Sequence, residues 1–350
     1  MVAGLVRLAV RRSLHDTLHV KVVPRRRAHG LVAEVYGQVE REFGMLAPPV
    51  ALHSAAPATL AAAWVILRET LVARGVADRA GKEAVATGVS EANNCPYCVD
   101  VHGMTLAAYA RAGGRGDLDA LTAWARADGA EQDGAAPPFT PEEAPELIGV
   151  AVAFHYYNRM ANVFLRDSPF PAHVPQNAKP KARLLLGGIL RRSADSGLRP
   201  GESLHLLPAA EPPQDLAWAR PNQVVTRAFA GAYAATDAAG AASVPPAVRA
   251  LVLSVLADWD GKPPGLGRSW LQGPVSTLPP HEQPAGRLAL LIAMASYQVD
   301  EAVVEDFRRT APQDSTLLEL ASWAAMAAAR RISAQLYART SSTPRPDGAG

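Results

Sequence analysis

The chain has 350 residues, of which 49% are hydrophobic, so it is long enough to bury a sizeable core. Its 35 basic and 33 acidic residues nearly balance, and it lacks a basic patch with interleaved aromatic residues, which argues against a nucleic-acid partner. No run of about 18 apolar residues occurs, so no integral membrane segment is predicted. Helix-forming residues predominate and β-branched runs are scarce, so we predict an all-α fold.

Residues 1–29 form a basic arm in this interpretation. Arg7, Arg11 and Arg12 interrupt the apolar stretch at its start, which argues against a secretory signal peptide. We expect an amphipathic helix or a surface arm that reaches a partner subunit, with membrane-surface contact as the weaker alternative. Two cysteines in a CxxC spacing do not form a secreted disulfide framework, so the sequence favours a cytoplasmic location.

The spacing of apolar residues divides the rest of the chain into helices. We predict them over 31–44, 58–75, 78–92, 93–113, 146–165, 181–194, 222–236, 247–258, 285–297 and 315–338. Asp78 is a candidate N-cap, and Asn93 or Asn94 is a candidate N-cap of the next helix. The helix at 146–165 is apolar on nearly all sides and is expected to be central. Beyond the arm, the predicted units are a redox domain (30–166), a linker with a short helix (167–215), a second helical unit (216–338) and a disordered tail (339–350).

The second half resembles a degenerate copy of the first, which predicts two tandem related helical units. VPPAVRALVLSVLADWDGKPPGLGRSW is similar to VADRAGKEAVATGVSEANNCPYCVDVHGM. An alternative register aligns Tyr297–Asp300 with Tyr97–Asp100, because YQVD resembles YCVD. We favour the first register because it preserves the helix order. In either register the second copy has no cysteine, so we expect it to pack against the first without sharing its chemistry.

The reactive groups are concentrated between Glu83 and His102. Cys95 and Cys98 are the only two cysteines, and His102 follows the second by one helical turn on the same face. His102 can accept the proton of Cys98, which makes Cys98 the attacking thiol. The N-terminus of the helix favours a thiolate on Cys95 instead. These two arguments leave the attacking thiol open.

Glu83, on the preceding helix, can orient His102 or move a proton through water. Oxidation of one thiol to sulfenic acid, followed by attack of the other, would form a Cys95–Cys98 disulfide. Metal binding is the weaker alternative, because structural zinc needs four ligands and this stretch offers three. No cofactor is therefore predicted. Two inert buried thiols would leave the histidine unexplained.

The pattern E-x11-C-x2-C-x3-H, within SEANNCPYCVDVH, resembles the core of the AhpD-like, or carboxymuconolactone decarboxylase-like, alkylhydroperoxidases. FGMLAPPVALHSAAPATLAAAW is similar to the lead-in helices of that family, and FHYYNRMANVF to a later helix. The resemblance covers about residues 30–166. It implies an all-helical fold and thiol peroxidase activity, in which Cys98 attacks the peroxide, Cys95 resolves the product, and Glu83 and His102 relay the proton.

Tyr97 departs from the family pattern, because the characterised peroxidases carry a histidine there, and the relay is then one imidazole short. Further candidates for the relay or pocket are Asn94, His155 and Asn158. A hydrogen-bonded structural pair is the alternative for His155 and Asn158. The decarboxylase branch of the family lacks the CxxC pair, so decarboxylation is not expected.

The sequence thus predicts a thiol-dependent peroxidase that reduces an alkyl hydroperoxide or hydrogen peroxide. A thiol protein or a small thiol would reduce the disulfide again. The alternatives are a general disulfide oxidoreductase and a non-enzymatic redox-sensing or scaffold protein. We expect a homo-oligomer and favour a dimer.

Overall fold

The computed structural model describes residues 17–113, 116–127, 136–170, 179–194 and 197–342, and within them the chain is helical without a β-strand. The all-α prediction is confirmed. The helices of eight residues or more are α1 Gly30–Phe43, α2 Pro57–Leu67, α3 Arg79–Ala92, α4 Pro96–Ala110, α5 Leu118–Arg126, α6 Ala144–Phe164, α7 Lys179–Ala194, α8 Gln223–Ser243, α9 Pro246–Ala257, α10 Gln283–Ala295, α11 Glu301–Arg308 and α12 Asp314–Ser342. Shorter helical turns are Arg25–Arg27, Pro48–Ala51, Leu52–Ala55, Arg68–Val72, Leu204–Leu206, Gln214–Ala219, Ser269–Leu271, Gln272–Ser276 and Ser296–Gln298.

Local capping signals set the ends of the two helices around the cysteines. Asp78 caps α3 as predicted, since its Oδ1 accepts a hydrogen bond from the Gly81 N–H at 2.6 Å. The N-cap of α4 is Cys95 rather than either asparagine, and Pro96 occupies the first turn. Asn94 has a φ of 49°, in the left-handed region, and this residue separates the two helices.

Two helices occur where none was predicted. No helix was predicted between residues 113 and 146, yet this part of the chain contains α5, whose Leu121 is fully buried. This helix packs closely on α3 at Gly88, where a Cβ would lie only 2.3 Å from the Thr122 carbonyl oxygen. The second such helix is α11, in the second half of the chain. Both are short, so propensity alone predicts them poorly.

Helix α6 lies at the centre of the fold, as predicted, and nearly all of its residues are buried. It packs against α3 on one side and against α12 on the other, while α2 packs against α8. The two halves therefore share one continuous hydrophobic core. The division into two related units stays a prediction.

Helix α9 is followed by the non-helical stretch 258–268, whereas α3 is followed almost directly by α4. Helix α10 is followed by a single helical turn and then by α11. The repeat and its register both stay predictions.

The described part of the N-terminal arm lies on the chain's own surface. The Leu18 N–H donates to the Phe164 carbonyl at 2.8 Å, and the Lys21 N–H donates to Asp314 Oδ2 at 2.8 Å. The predicted amphipathic helix falls on residues 1–16, outside the described residues. Of the tail, α12 extends to Ser342, beyond the predicted end of the last helix, and 343–350 lie outside the described residues.

The stretch predicted as a linker packs against the first half of the chain. Helix α7 lies on α4, and Arg183 forms an ion pair with Asp100 at 2.6 Å. Further along, the N–H groups of Gly201 and Ser203 donate to the carboxylate of Glu69 at 2.6 and 3.0 Å. Through these contacts, the described part of 167–215 packs as an ordered part of the fold.

Within the described residues, no helix is long and apolar enough to cross a bilayer.

Candidate active site

The junction of α3 and α4 places both thiols in the interior. Cys95 stands at the N-cap position, with φ −104° and ψ 90°, and Cys98 lies in the first turn of α4. Both are free cysteines, and their exposed fractions are 1% and 4%. His102 follows one turn further along, so the predicted spacing of these three side chains is realised on one helix.

Glu83 holds one edge of the His102 ring. Its Oε2 lies 2.7 Å from His102 Nδ1, while its Oε1 accepts a hydrogen bond from Arg79 Nε at 2.8 Å. Burial alone would raise the pKa of Glu83, but the nearby charges of Arg79 and His102 outweigh it, so the pKa is lowered. Since the group is an ionised carboxylate at neutral pH, we assign the proton of the neutral imidazole to Nδ1.

The ring of His102 is also held from the side. Phe154 of α6 packs edge-on against it, with the ring centroids 4.5 Å apart. Such an arrangement is the favoured geometry of an aromatic pair. Rotation of the imidazole is therefore restricted by Glu83 and by Phe154 together, and its Nε2 edge has a fixed direction.

A cavity of about 110 Å³ lies beside the reactive groups. We call it the Cys98 cavity. Its polar lining residues are Cys98, His102, Tyr97 and Tyr157, and apolar side chains from α1, α2, α4, α6 and α7 form most of the remaining wall. Among the described residues, Cys95 does not line it. Only one of the two thiols thus faces the space where a small molecule would bind.

The environment of Cys95 favours the thiol over the thiolate. Burial, and then the hydrogen bond and charge of neighbouring Cys98, raise the pKa of Cys95 well above its ordinary value. The backbone N–H of Cys98 and the side chain of Asn158 offset this rise only in part. The effect of the helix N-terminus on the pKa of Cys95 is therefore smaller than the effect of burial, and the helix end does not favour a thiolate on Cys95.

The comparisons with known proteins agree with this arrangement. The family model described as "Carboxymuconolactone decarboxylase family" matches residues 58–137. The chain is 37% identical over 330 residues to "Alkyl hydroperoxide reductase Rv2159c" of Mycobacterium tuberculosis (strain ATCC 25618 / H37Rv), an alignment that covers 90% of this chain and 93% of that relative. The chain belongs to the AhpD-like, or carboxymuconolactone decarboxylase-like, alkylhydroperoxidase family. No solved structure matches it.

The other candidate residues of this AhpD-like chain lie at different distances from the cavity. Tyr97 lines it, as expected for a pocket residue. Asn94 is exposed and does not line the cavity, and its backbone is left-handed rather than helical. The residue forms the left-handed link between two helices, and its role in a relay or pocket stays a prediction.

His155 and Asn158 lie on α6 behind the α3–α4 junction rather than in the cavity wall. Asn93 Nδ2 is 3.0 Å from His155 Nδ1 and 3.2 Å from Asn158 Oδ1. The amide group of Asn158 also lies 3.1 Å from Ser90 Oγ. Burial and the charge of Arg159 lower the pKa of His155 well below its ordinary value. This geometry matches the alternative of a hydrogen-bonded structural pair that fixes the junction.

Several residues at the site were missed by the sequence interpretation. Arg79 lies one helical turn before Glu83 on α3, and this spacing was a signal that could have found it. Phe154 and Tyr157 belong to an almost uniformly apolar helix, in which no periodicity distinguishes a cavity residue from a core residue. Leu186 and Leu190 come from the predicted linker.

Proposed function

We propose that this AhpD-like protein is a thiol-dependent peroxidase in which Cys98 is the attacking thiol and Cys95 the resolving thiol. The observation that carries the proposal is the cavity: Cys98 and His102 both line it, and Glu83 holds the other edge of His102. The name of the mycobacterial relative, an alkyl hydroperoxide reductase, supports the same reaction. The geometry and the raised pKa of Cys95 favour the same division of labour between the thiols.

The reaction proceeds in two displacements. His102 Nε2 accepts the proton of Cys98, and the charge of Glu83 stabilises the imidazolium. The thiolate attacks the distal oxygen of the hydroperoxide, the O–O bond breaks, and the alkoxide takes the proton from His102 and leaves as the alcohol. The thiol of Cys95 then attacks the sulfenic sulfur of Cys98, a disulfide forms, and water leaves. One hydroperoxide is reduced and two thiols are oxidised.

The lining of the cavity favours an organic hydroperoxide as substrate. Most of the wall is apolar, with contributions from Phe43, Val50, Leu71 and Leu186. An alkyl group gains free energy when it leaves water for such a wall, whereas hydrogen peroxide does not. We therefore assign alkyl hydroperoxides as the preferred class, with hydrogen peroxide as a slower substrate.

Tyr97 supplies no second base. Burial, followed by the nearby thiols of Cys98 and Cys95, raises its pKa, so the phenol keeps its proton at neutral pH. It can donate a hydrogen bond in the cavity but cannot take the proton of a thiol. The whole base function therefore falls on His102.

A general disulfide oxidoreductase is the weaker function. Such an enzyme needs a thiol that a protein disulfide can reach, yet Cys98 is only 4% exposed. A small hydroperoxide can enter a cavity of this size, whereas a folded protein cannot. For the same reason a small thiol is proposed as the reductant, and a homodimer remains the proposed assembly.

The test compares two single variants of the full chain in the presence of dithiothreitol and tert-butyl hydroperoxide. Cys98→Ser should abolish peroxide consumption. When dithiothreitol is left out, Cys95→Ser should still form one sulfenic acid per chain, which intact mass after trapping would detect, but should form no internal disulfide. Unchanged peroxide consumption by Cys98→Ser would overturn the proposal. A wild-type reaction with glutathione disulfide that is faster than that with hydroperoxide would favour the oxidoreductase.

A further inference from the structure

Two neighbouring tyrosines on α6 differ in the hydrogen bonding of their hydroxyl groups. The hydroxyl of Tyr156 lies 2.8 Å from His53 Nε2 and 2.7 Å from Ser322 Oγ. The hydroxyl of Tyr157 is buried and has no hydrogen-bond partner within the described part of the chain. The Tyr157 residue is only 3% exposed, so bulk water does not satisfy it either.

An unpartnered buried hydroxyl destabilises a folded protein, because the group loses its hydrogen bonds to water and gains none. Phenylalanine would fill the same space without this cost. Native proteins pair nearly all their buried polar groups, so an exception points to strain, to a bound molecule or to catalysis. The ring of Tyr157 packs normally, at right angles to that of Tyr156, so its packing gives no reason for the hydroxyl.

The position of Tyr157 indicates what the hydroxyl serves. Tyr157 lines the Cys98 cavity together with Cys98 and His102. It is also held firmly, since the rings of Phe154 and His53 lie against it. A rigid hydrogen-bond donor on a residue that lines the same cavity as Cys98 is suited to stabilise charge developing on a substrate oxygen.

We propose that the hydroxyl of Tyr157 donates a hydrogen bond to the leaving oxygen of the hydroperoxide while Cys98 attacks the distal oxygen. This inference rests on the proposed peroxidase function. As the S–O bond forms and the O–O bond breaks, negative charge develops on the leaving oxygen, and Tyr157 stabilises it. The proton that completes the alcohol comes from His102, so Tyr157 keeps its own proton throughout.

The surroundings keep the hydroxyl in its donor form. Burial, and the nearby hydroxyl of Tyr156, raise the pKa of Tyr157 well above its ordinary value. It therefore neither ionises at neutral pH nor competes with His102 as a base. A fixed neutral donor also compensates in part for the histidine that the family pattern has at Tyr97.

The experiment compares Tyr157→Phe with Tyr156→Phe in the otherwise unchanged full chain. The rate constant for thiol loss with tert-butyl hydroperoxide is measured by rapid quenching, alkylation and intact mass. Tyr157→Phe should lower this rate constant about tenfold to a hundredfold. Removal of one donor from an oxyanion hole typically lowers a rate by about a hundredfold or more, so the expected effect is equal to or smaller than that. Its rate of Cys98 alkylation by iodoacetamide should stay within about twofold of wild type, because His102 still activates the thiol.

The neighbouring variant serves as the matched control. Tyr156→Phe should keep the peroxide rate but lower the melting temperature, since it leaves His53 and Ser322 without their partner. Tyr157→Phe should melt at the wild-type temperature or above. An equal peroxide rate in wild type and Tyr157→Phe would overturn the role of Tyr157 but not the proposed peroxidase function. The same holds if Tyr157→Phe slows alkylation as much as it slows the reaction with peroxide. A wild-type chain that reacts with no hydroperoxide overturns both this role and the proposed function.

Discussion

His102 Nδ1 lies 2.7 Å from Glu83 Oε2, and this contact joins α3 to α4 across the junction that holds both cysteines. Glu83 is only 1% exposed, so its charge is balanced by His102 and by Arg79 rather than by water. In the proposed reaction, this contact orients His102 and stabilises the imidazolium that forms when the ring accepts the proton of Cys98. The contact thus links the fold of the junction to the proposed first step.

Replacement of the charge of Glu83 should slow the first step. Glu83→Gln keeps the size of the side chain but no longer stabilises an imidazolium on His102, so we expect alkylation of Cys98 by iodoacetamide at pH 7 to fall about tenfold. The peroxide rate should fall in parallel. The control is Glu91→Gln on the same helix, whose carboxylate pairs with Arg126 at 2.8 Å near the surface. A Glu83→Gln chain that alkylates as fast as this control would contradict the relay.

The leucines of α7 should determine the preference for organic hydroperoxides. Leu186 and Leu190 line the Cys98 cavity, whereas Leu184 and Leu185 on the same helix are each 54% exposed. Leu186→Ala or Leu190→Ala removes apolar contacts worth about 1–2 kcal/mol to a bound alkyl group. The ratio of the rates with cumene hydroperoxide and with hydrogen peroxide should therefore drop about fivefold or more. Leu184→Ala should leave the ratio unchanged, and an equal effect of the two kinds of variant would refute the assignment.

A cluster of buried charges should stabilise the first half of the chain. Arg68 is fully buried, and its guanidinium contacts Glu42 at 2.8 Å, Glu69 at 2.7 Å and Glu202 at 2.9 Å. Arg68→Met would remove the buried positive charge that the carboxylates of Glu42 and Glu69 contact, so the free energy of unfolding should fall by about 3–5 kcal/mol in urea titrations. Arg126→Met removes an exposed ion pair and should cost less than about 1 kcal/mol. Similar losses from both variants would show that Arg68 adds no more than a surface pair.

Much of the fold follows from signals that are local in the sequence. The cap at Asp78, Pro96 in the first turn of α4 and the uniform apolarity of α6 each involve a few neighbouring residues. Helix α5 and the packing of α7 on α4 were not predicted, because both depend on close approach to elements distant in the sequence. Gly88 has no side chain, so the backbone of Thr122 in α5 can approach it closely. Gly187 of α7 has the same role, because a Cβ there would lie 2.5 Å from the Met104 carbonyl oxygen.

The candidate site also contains residues that local sequence signals predict and residues that they do not. Cys98 and His102 were predicted from the spacing of one turn on a single helix, and Glu83 from its place on the preceding helix. Phe154 and Tyr157 reach the cavity from a helix far along the chain, and no local pattern marks which side of a buried helix faces an empty space. The position of Asn94 follows from its left-handed backbone, which its polarity does not reveal. Spacing also does not show the burial of Cys95, on which the proposed choice between the thiols rests.

His53 should make the fold sensitive to mild acid. Burial lowers its pKa from 6.5 to about 4, and the backbone hydrogen bonds at Val50 and Pro49 offset this only in part. The unfolded chain therefore takes up this proton at a higher pH than the folded chain does. Its contribution to stability is complete above about pH 6.5 and is lost as the pH falls towards 4, by about 3 kcal/mol in all.

The comparison of His53→Gln with wild type isolates this contribution. The variant should be less stable at pH 7, because it loses the hydrogen bond to Tyr156, but its free energy of unfolding should fall less on going to pH 4.5. We expect the two falls, measured by urea titration at both pH values, to differ by about 2 kcal/mol. His205→Gln serves as the matched substitution at a side chain that is 57% exposed. Equal falls in wild type and His53→Gln would mean that His53 takes up its proton without unfolding the chain.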